Sequence, residues 1–385
     1  MLTEAYDPLK RLRPKFTRHD AGIVSGNERR LLSLVWRTPQ IPRAALTKEI
    51  GLTQQSVHRL VGALHEDGLL LFGPLVPPEY KGKPSPALLL NPRFGCSLGV
   101  SVDTDVAGIA CMDFAGGHVS RRISIAGLSR DRASDRIRDA ISELLAASRF
   151  TEEDIIGLGF AISGFRMEGD RYNPPIPLAE WAEVPLAQYA ADTFDIATWA
   201  ENGANTAALC EAMFGAGHRF SDFAYLSFNY GFGAGFIVNG ELLAGGFGNA
   251  GELGGMFDDH EMDVRPALQF LLGRLNAAGR SVSTIEDLSK DCDENDPVVR
   301  QWLDDVEPYH NRVINVLSST MDPQAIILGG QMPKPIAEAL IRRSRFFGKP
   351  RHGVYRQVPV LEISRLGTES SAIGAACLPL KECVF

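Results

Sequence analysis

The chain has 385 residues and a formal net charge of −8, which is long enough that two or three folded units are expected rather than one core. Its longest apolar runs, residues 31–36 and 87–90, fall far short of the roughly 18 residues that cross a bilayer, and residues 1–15 lack the apolar stretch of a secretory leader, so a cytoplasmic protein with no membrane partner is predicted. Six cysteines without a Cys-x-x-Cys pair argue against both a disulfide framework and a zinc ribbon.

The charge is unevenly placed. Residues 1–92 hold 13 Lys+Arg against 8 Asp+Glu, and the rest of the chain holds 26 against 39. Only the first segment suits a polyanionic partner, and the acidic remainder suits something small and neutral.

After a basic leader over 1–25, Leu31, Leu32 and Val35 recur at helical spacing behind a cap at Asn27. A second helix starts near Pro42, carries Ala45, Leu46 and Ile50 on one face, and ends at Gly51. Thr53 is placed to cap a third helix, in which Val57, Leu60, Val61 and Leu64 form one apolar stripe. The opposite face of that helix gathers Gln54, Gln55, His58 and Arg59 toward its N-terminal half. A recognition helix meets base edges there, Gln suiting adenine and Arg guanine; the plainer alternative is that the four residues are a solvated helix surface. Two short apolar strands follow, joined by a Pro/Gly-rich turn with Lys81 and Lys83, as in a wing whose tip meets phosphates. Lysines at a hairpin edge also serve simply to block strand pairing. The segment 26–92 is therefore predicted to be a winged helix-turn-helix that binds double-stranded DNA.

From Cys96 onward the pattern becomes α/β. Residues 96–114 suggest a hairpin, 131–148 a helix, 155–162 a buried strand, and 196–217 a strand running into a helix. A second glycine-rich hairpin spans 223–246, and 311–330 read as helix, turn and strand. Two strand-loop-helix lobes, each with a glycine-rich turn, predict a ligand held between them over 93–385.

Four blocks make a family resemblance specific: KGKPSPALLLNPRFGCSLGVSVD, ENGANTAALCEAMFGAG, NYGFGAGFIVNGELLAGGFGNAGELGG and IILGGQM, in that order. Together they resemble the ROK family of sugar kinases and winged-helix repressors of sugar genes. The resemblance implies a two-lobed actin/hexokinase-like (ribonuclease H-like) domain behind the winged helix. It also implies contacts to sugar hydroxyls from Glu201, Asn202, Asn205 and Glu252. Asn202 and Asn205 also suit a helix cap, and Glu252 a turn, so the two readings of the cleft stand side by side.

Three departures bear on activity. Family kinases place an aspartate directly after Glu-Asn as general base, and this chain has Gly203; loss of such a base costs about 10²–10⁴ in rate. The first phosphate loop, glycine-rich in those kinases, reads Asp103-Thr104-Asp105-Val106, and Tyr230 stands in the second where they carry a small threonine. The family's structural zinc is implied absent, because Gly255 replaces its histidine and no cysteine cluster follows; His260 is left among carboxylates. Trp181 resembles a family tryptophan at the cleft edge and is expected to serve packing.

The sequence thus predicts a regulator that is not an enzyme and has no catalytic residue, metal or cofactor. As a homodimer or homotetramer it would bind an inverted-repeat operator and sense a sugar or sugar derivative. A sugar kinase with an unrecognised base and a ligand-independent regulator with a vestigial cleft are the alternatives.

Overall fold

The computed structural model describes residues 6–19, 23–77, 84–290 and 292–385. Helix α1 (Gly26–Arg37) starts at Ser25, not at Asn27, which lies inside its first turn. The reason is local: Glu28, three residues after Ser25, accepts the Ser25 N–H at 2.7 Å, a reciprocal arrangement that Asn27 has no acid to match. Helix α2 (Arg43–Ile50) ends at Gly51, whose φ of 71° is the left-handed conformation that closes the turn. Helix α3 (Gln54–Glu66) follows, and strands β1 (Leu70–Val76) and β2 (Ser85–Leu90) pair antiparallel as the wing.

The leader does not stand apart from the body. Phe16 is fully buried against Phe94 at 5.6 Å between ring centres, Lys15 reaches Asp154 at 2.6 Å, and the Tyr6 hydroxyl accepts the Thr198 N–H. Arg11, Arg13 and Lys15 are thus paired with acids of the body, and Arg18 with Glu28 and Asp67 of the winged helix.

The first lobe contains β3 (Cys96–Val102), β4 (Val106–Asp113), β5 (His118–Ser124), α4 (Arg130–Ala147), β6 (Ile155–Ile162), the short pair β7 (Phe165–Arg166) and β8 (Tyr172–Asn173), α5 (Leu186–Phe194) and β9 (Thr198–Asn202). Its main sheet runs β5-β4-β3-β6-β9, with β3, β6 and β9 parallel. Strand β6 is buried along its whole length, as its unbroken apolar run requires of a strand covered on both faces. Trp181 lies buried beneath it, 5.5 Å from the Phe160 ring, in a packing role.

The second lobe contains α6 (Gly203–Phe214), β10 (Phe223–Phe228), β11 (Phe232–Val238), β12 (Glu241–Leu242), α7 (Leu268–Ala277), α8 (Ile285–Lys290), α9 (Pro297–Thr320), β13 (Ala325–Gly330), α10 (Lys334–Arg343), β14 (Val360–Ile363) and α11 (Ser370–Cys383). Its sheet runs β12-β11-β10-β13-β14. Helices α6 and α11 lie between the two sheets in very close contact. A Cβ on Gly374 of α11 would come within 1.8 Å of the Thr206 carbonyl oxygen, so the crossing requires glycine there.

Both of these helices also meet the winged helix. Trp36 of α1 packs edge-on against Phe214 at the end of α6, at 5.9 Å. Arg29 donates to the carbonyl oxygens of Lys381, Glu382 and Phe385, satisfying the free acceptors at the end of α11. A single buried apolar cluster consequently joins Leu31, Leu32 and Val57 of the winged helix to Leu209, Ala376 and Leu380 of the body.

Candidate functional site

The Thr53 hydroxyl accepts the Ser56 N–H at 3.2 Å and fixes the start of α3. Val57, Val61 and Leu64 are buried while Leu60 is only half-buried, and this orientation turns Gln54, Gln55, His58 and Arg59 outward, all four exposed. Gln54, Gln55 and Arg59 make no side-chain hydrogen bond to other described residues, so their donors and acceptors are open to a partner. His58 is engaged instead: Arg43 lies 2.8 Å from its Nδ1. Arg43 is thereby added to the face. Its sequence signal was slight, a lone cation directly after Pro42. Lys81 and Lys83 lie outside the described residues.

The cleft residues are brought together at the junction of β9 and α6. Asn202 is the N-cap of α6, and its Oδ1 accepts the N–H groups of Ala204 at 2.7 Å and Asn205 at 3.3 Å. Its Nδ2 donates to the Gly164 carbonyl at 2.8 Å and to Glu252 Oε1 at 3.4 Å. Asn205 donates to Glu201 Oε1 at 3.0 Å, and the same oxygen accepts the Asn202 N–H at 2.7 Å. All four predicted residues therefore form one network, and the helix-cap reading of Asn202 holds in the geometry. Glu252 keeps contact with solvent, yet desolvation by the surrounding protein raises its carboxyl above the ordinary range. Asn205 Oδ1 is buried without a hydrogen-bond partner among the described residues.

Gly203 opens α6, and the glycine is not required by its surroundings. A Cβ there would meet Ser371 Oγ at 3.4 Å and the Ile162 carbonyl oxygen at 3.7 Å, ordinary contacts. The carboxylate is missing for no steric reason visible in the fold.

Nearby, the turn between β3 and β4 is closed by the Asp103 N–H on the Val106 carbonyl at 2.9 Å. Burial raises the pKa of Asp103, opposed by a hydrogen bond from Ser163 and the charge of Arg122. Burial likewise raises Asp105. Arg122 of β5 reaches across to the second lobe, donating to Gln331 Oε1 at 2.7 Å and Thr368 Oγ1 at 3.3 Å. No local pattern pointed to it. The second glycine-rich turn is also committed internally, since the Asn229 and Tyr230 carbonyls accept the N–H groups of Leu268 and Gln269 that begin α7.

The donors needed for the family's zinc are not assembled. Gly255 offers no side chain, His260 is exposed, and no group of three His, Cys, Asp or Glu side chains suited to a metal occurs among the described residues. No helix among the described residues is long and apolar enough to cross a membrane.

Residues 104–264 match the model of the ROK family, and residues 25–70 match that of a winged helix-turn-helix DNA-binding unit. The chain is 26% identical to the uncharacterized protein y4fQ of Sinorhizobium fredii, over 94% of this chain and 92% of that protein. It is 24% identical to the xylose repressor of Bacillus subtilis, over 78% of this chain and 81% of the repressor. Among solved structures, a ROK family transcriptional regulator described as a homolog of the E. coli MLC protein superposes with a TM-score of 0.69 at 19% identity, covering 98% of this chain and 97% of that one.

Proposed function

The chain carries a ROK family domain behind a winged helix-turn-helix, and from that premise we propose that it is a sugar-responsive transcriptional repressor. The observation that carries this reading is the face of α3: Gln54, Gln55 and Arg59 are exposed and unengaged at the N-terminal half of a helix that its apolar stripe holds firmly in place. Free amide and guanidinium groups of this kind read base edges in the major groove. The wing lysines Lys81 and Lys83 then supply phosphate contacts, and the segment 26–92 is the DNA-binding unit. As a homodimer or homotetramer with two-fold symmetry, the protein binds an inverted repeat with half-sites one helical turn or a multiple apart.

Residues 93–385 are the effector unit. A neutral sugar or a close derivative enters the cleft at Glu201, Asn202, Asn205 and Glu252, exchanging bonds within that network for bonds to its hydroxyls. The unpartnered Asn205 Oδ1 is a waiting acceptor for one of them. The cleft does not transfer a phosphoryl group, since Gly203 cannot accept the proton of a sugar hydroxyl, the first turn over 103–106 has no glycine, and both turns are tied into their own lobes.

The test is a DNA pool selected on the purified full chain, followed by titration of the selected site with free sugars, amino sugars and phosphosugars. An inverted repeat whose affinity falls with salt, and falls further with one neutral sugar, is the expected result. Failure to enrich any site removes the repressor reading. ATP-dependent phosphorylation of a sugar would restore the kinase alternative.

A further inference from the structure

A cavity of about 910 Å³ lies between the winged helix and the second lobe, away from the sugar network. Its size is at the upper end of small-molecule sites, which run about 300–1,000 Å³. One wall is α1 with the end of α2; the other is built from the C-terminal half of α6, the β11–β12 turn and the end of α11.

The walls are cationic. Arg29, Arg30, Arg37, Arg219 and Lys381 line the cavity against the carboxylates of Glu49 and Glu241. Glu362 neutralises Arg219 from outside. Among the described residues Arg30 is hydrogen-bonded to the backbone carbonyl of Ile50 alone, at 2.9 Å, and Arg29 to the main-chain oxygens of Lys381, Glu382 and the last residue, Phe385. Among the described residues, Arg30 therefore borders the cavity with no carboxylate bonded to it.

The cavity also shows how it holds an acid. Glu241 is gripped between Arg37 at 2.9 Å, from the winged helix, and Lys381 at 2.5 Å, from α11. That carboxylate is a built-in copy of the group a ligand would present, and it bridges the two units. Trp36, Phe220 and Phe385 supply apolar wall for the body of such a ligand.

We propose that this junction cavity is a second ligand site, distinct from the sugar cleft, for a small metabolite bearing two or more phosphate or carboxylate groups. The ligand displaces Glu241 and takes the cations of both units at once, so its binding sets how the winged helix sits on the body. Helix α6 joins the two sites: Asn202 caps its start in the cleft, and Leu209, Ala212 and Met213 near its end line the cavity.

Calorimetric titration of the full chain, without DNA, with pyrophosphate and with citrate at matched ionic strength tests the site and separates the phosphate from the carboxylate class. One probe is expected to bind. Lys381→Gln and Arg30→Gln should each weaken that binding about tenfold, the loss of one charge-assisted hydrogen bond, whereas Glu241→Gln should tighten it about threefold by removing the internal competitor. Opposite signs from two partners of one ion pair are not expected of a merely structural role, and thermal unfolding of each variant checks that it folds. The titration contains neither DNA nor sugar, so failure of the sugar reading does not touch this one. Absence of binding by both probes, or the same affinity in Glu241→Gln and Lys381→Gln, overturns the proposal.

Discussion

The polar groups of α3 and those of the cleft are in opposite states. On α3, Gln54, Gln55 and Arg59 are exposed and bonded to no other described residue. In the cleft, Glu201, Asn202, Asn205 and Glu252 are bonded to one another and to the backbone. An exposed group exchanges a bond to water for a bond to its partner and nets about 0.5–1.5 kcal/mol, more where it is charged, whereas a group already paired within the protein must also break that bond. On the proposed reading, strong and specific association therefore falls to the helix. The cleft is suited to a weaker, switch-like exchange, in which a ligand reorganises bonds that also hold α6 in place.

The largest effects are expected where the groups are free. Arg59→Ala should cost about 1–3 kcal/mol of operator affinity and relax preference at one base position, and Gln55→Ala combined with it should lower affinity by more than about 100-fold. Neither change should move thermal stability by more than about 0.5 kcal/mol, because both side chains are exposed. Equal loss of affinity for all DNA sequences, measured by quantitative binding at fixed salt, would show that these residues only touch phosphates.

His310 in α9 sharpens the contrast from the committed side. It is fully buried, its Nε2 lies 2.9 Å from Ser344 Oγ, and burial pushes its pKa down to about 4. Between about pH 6.5 and pH 4 the unfolded chain binds a proton at this residue that the folded chain refuses. Stability from His310 is thus complete above pH 6.5 and declines as pH falls, by on the order of 3 kcal/mol at the low end. Melting curves of His310→Gln should show a shallower acid limb than the parent, whatever the absolute stability of the variant. An unchanged limb would mean that the ring takes up its proton alike in the folded and the unfolded chain.

Asn202→Ala is expected to act twice. Loss of the cap on two N–H groups of α6 should cost about 1 kcal/mol of stability, and the sugar response of operator binding should vanish while ligand-free DNA binding persists. A full response in this variant would leave the network as scaffold only.

How far such roles could be read from sequence depended on the range of the interaction. The Thr53 cap, the Gly51 stop and the buried run of β6 follow from neighbours within a few residues, and all three are as expected. The start of α1 was equally local, but of two capping residues the expected one was Asn27, while the Ser-x-x-Glu spacing selects Ser25. The leader was read only as basic, because nothing near Phe16 or Lys15 announces Phe94 or Asp154. Arg122 finds Gln331 across 209 residues, and no periodicity encodes that. In the cleft the residue types were legible, and the bonds among them were not.

The smallest expected effect bears on whether a single glycine separates this cleft from a kinase. The Cβ of an aspartate at Gly203 would meet its neighbours at 3.4 Å or more, and the position opens a helix, where a carboxylate is favoured by the N-terminal dipole. Gly203→Asp should therefore change stability by no more than about 0.5 kcal/mol, in the stabilising direction at low salt. It should not restore transfer from ATP. Phosphoryl transfer needs phosphates held close to backbone N–H groups, and Thr104, Asp105 and Val106 occupy the first turn with a carboxylate where the nucleotide would bring more negative charge. The carbonyls of Asn229 and Tyr230 are likewise bound to the start of α7, so the second turn is not free to remodel around a phosphate. A coupled ADP assay on Gly203→Asp with the sugar that releases the operator distinguishes the cases. Turnover above background would show the turns to be competent, and Gly203 alone would then stand between sensor and enzyme. Unchanged silence, with a small rise in melting temperature, places the loss of catalysis in the whole nucleotide side of the cleft.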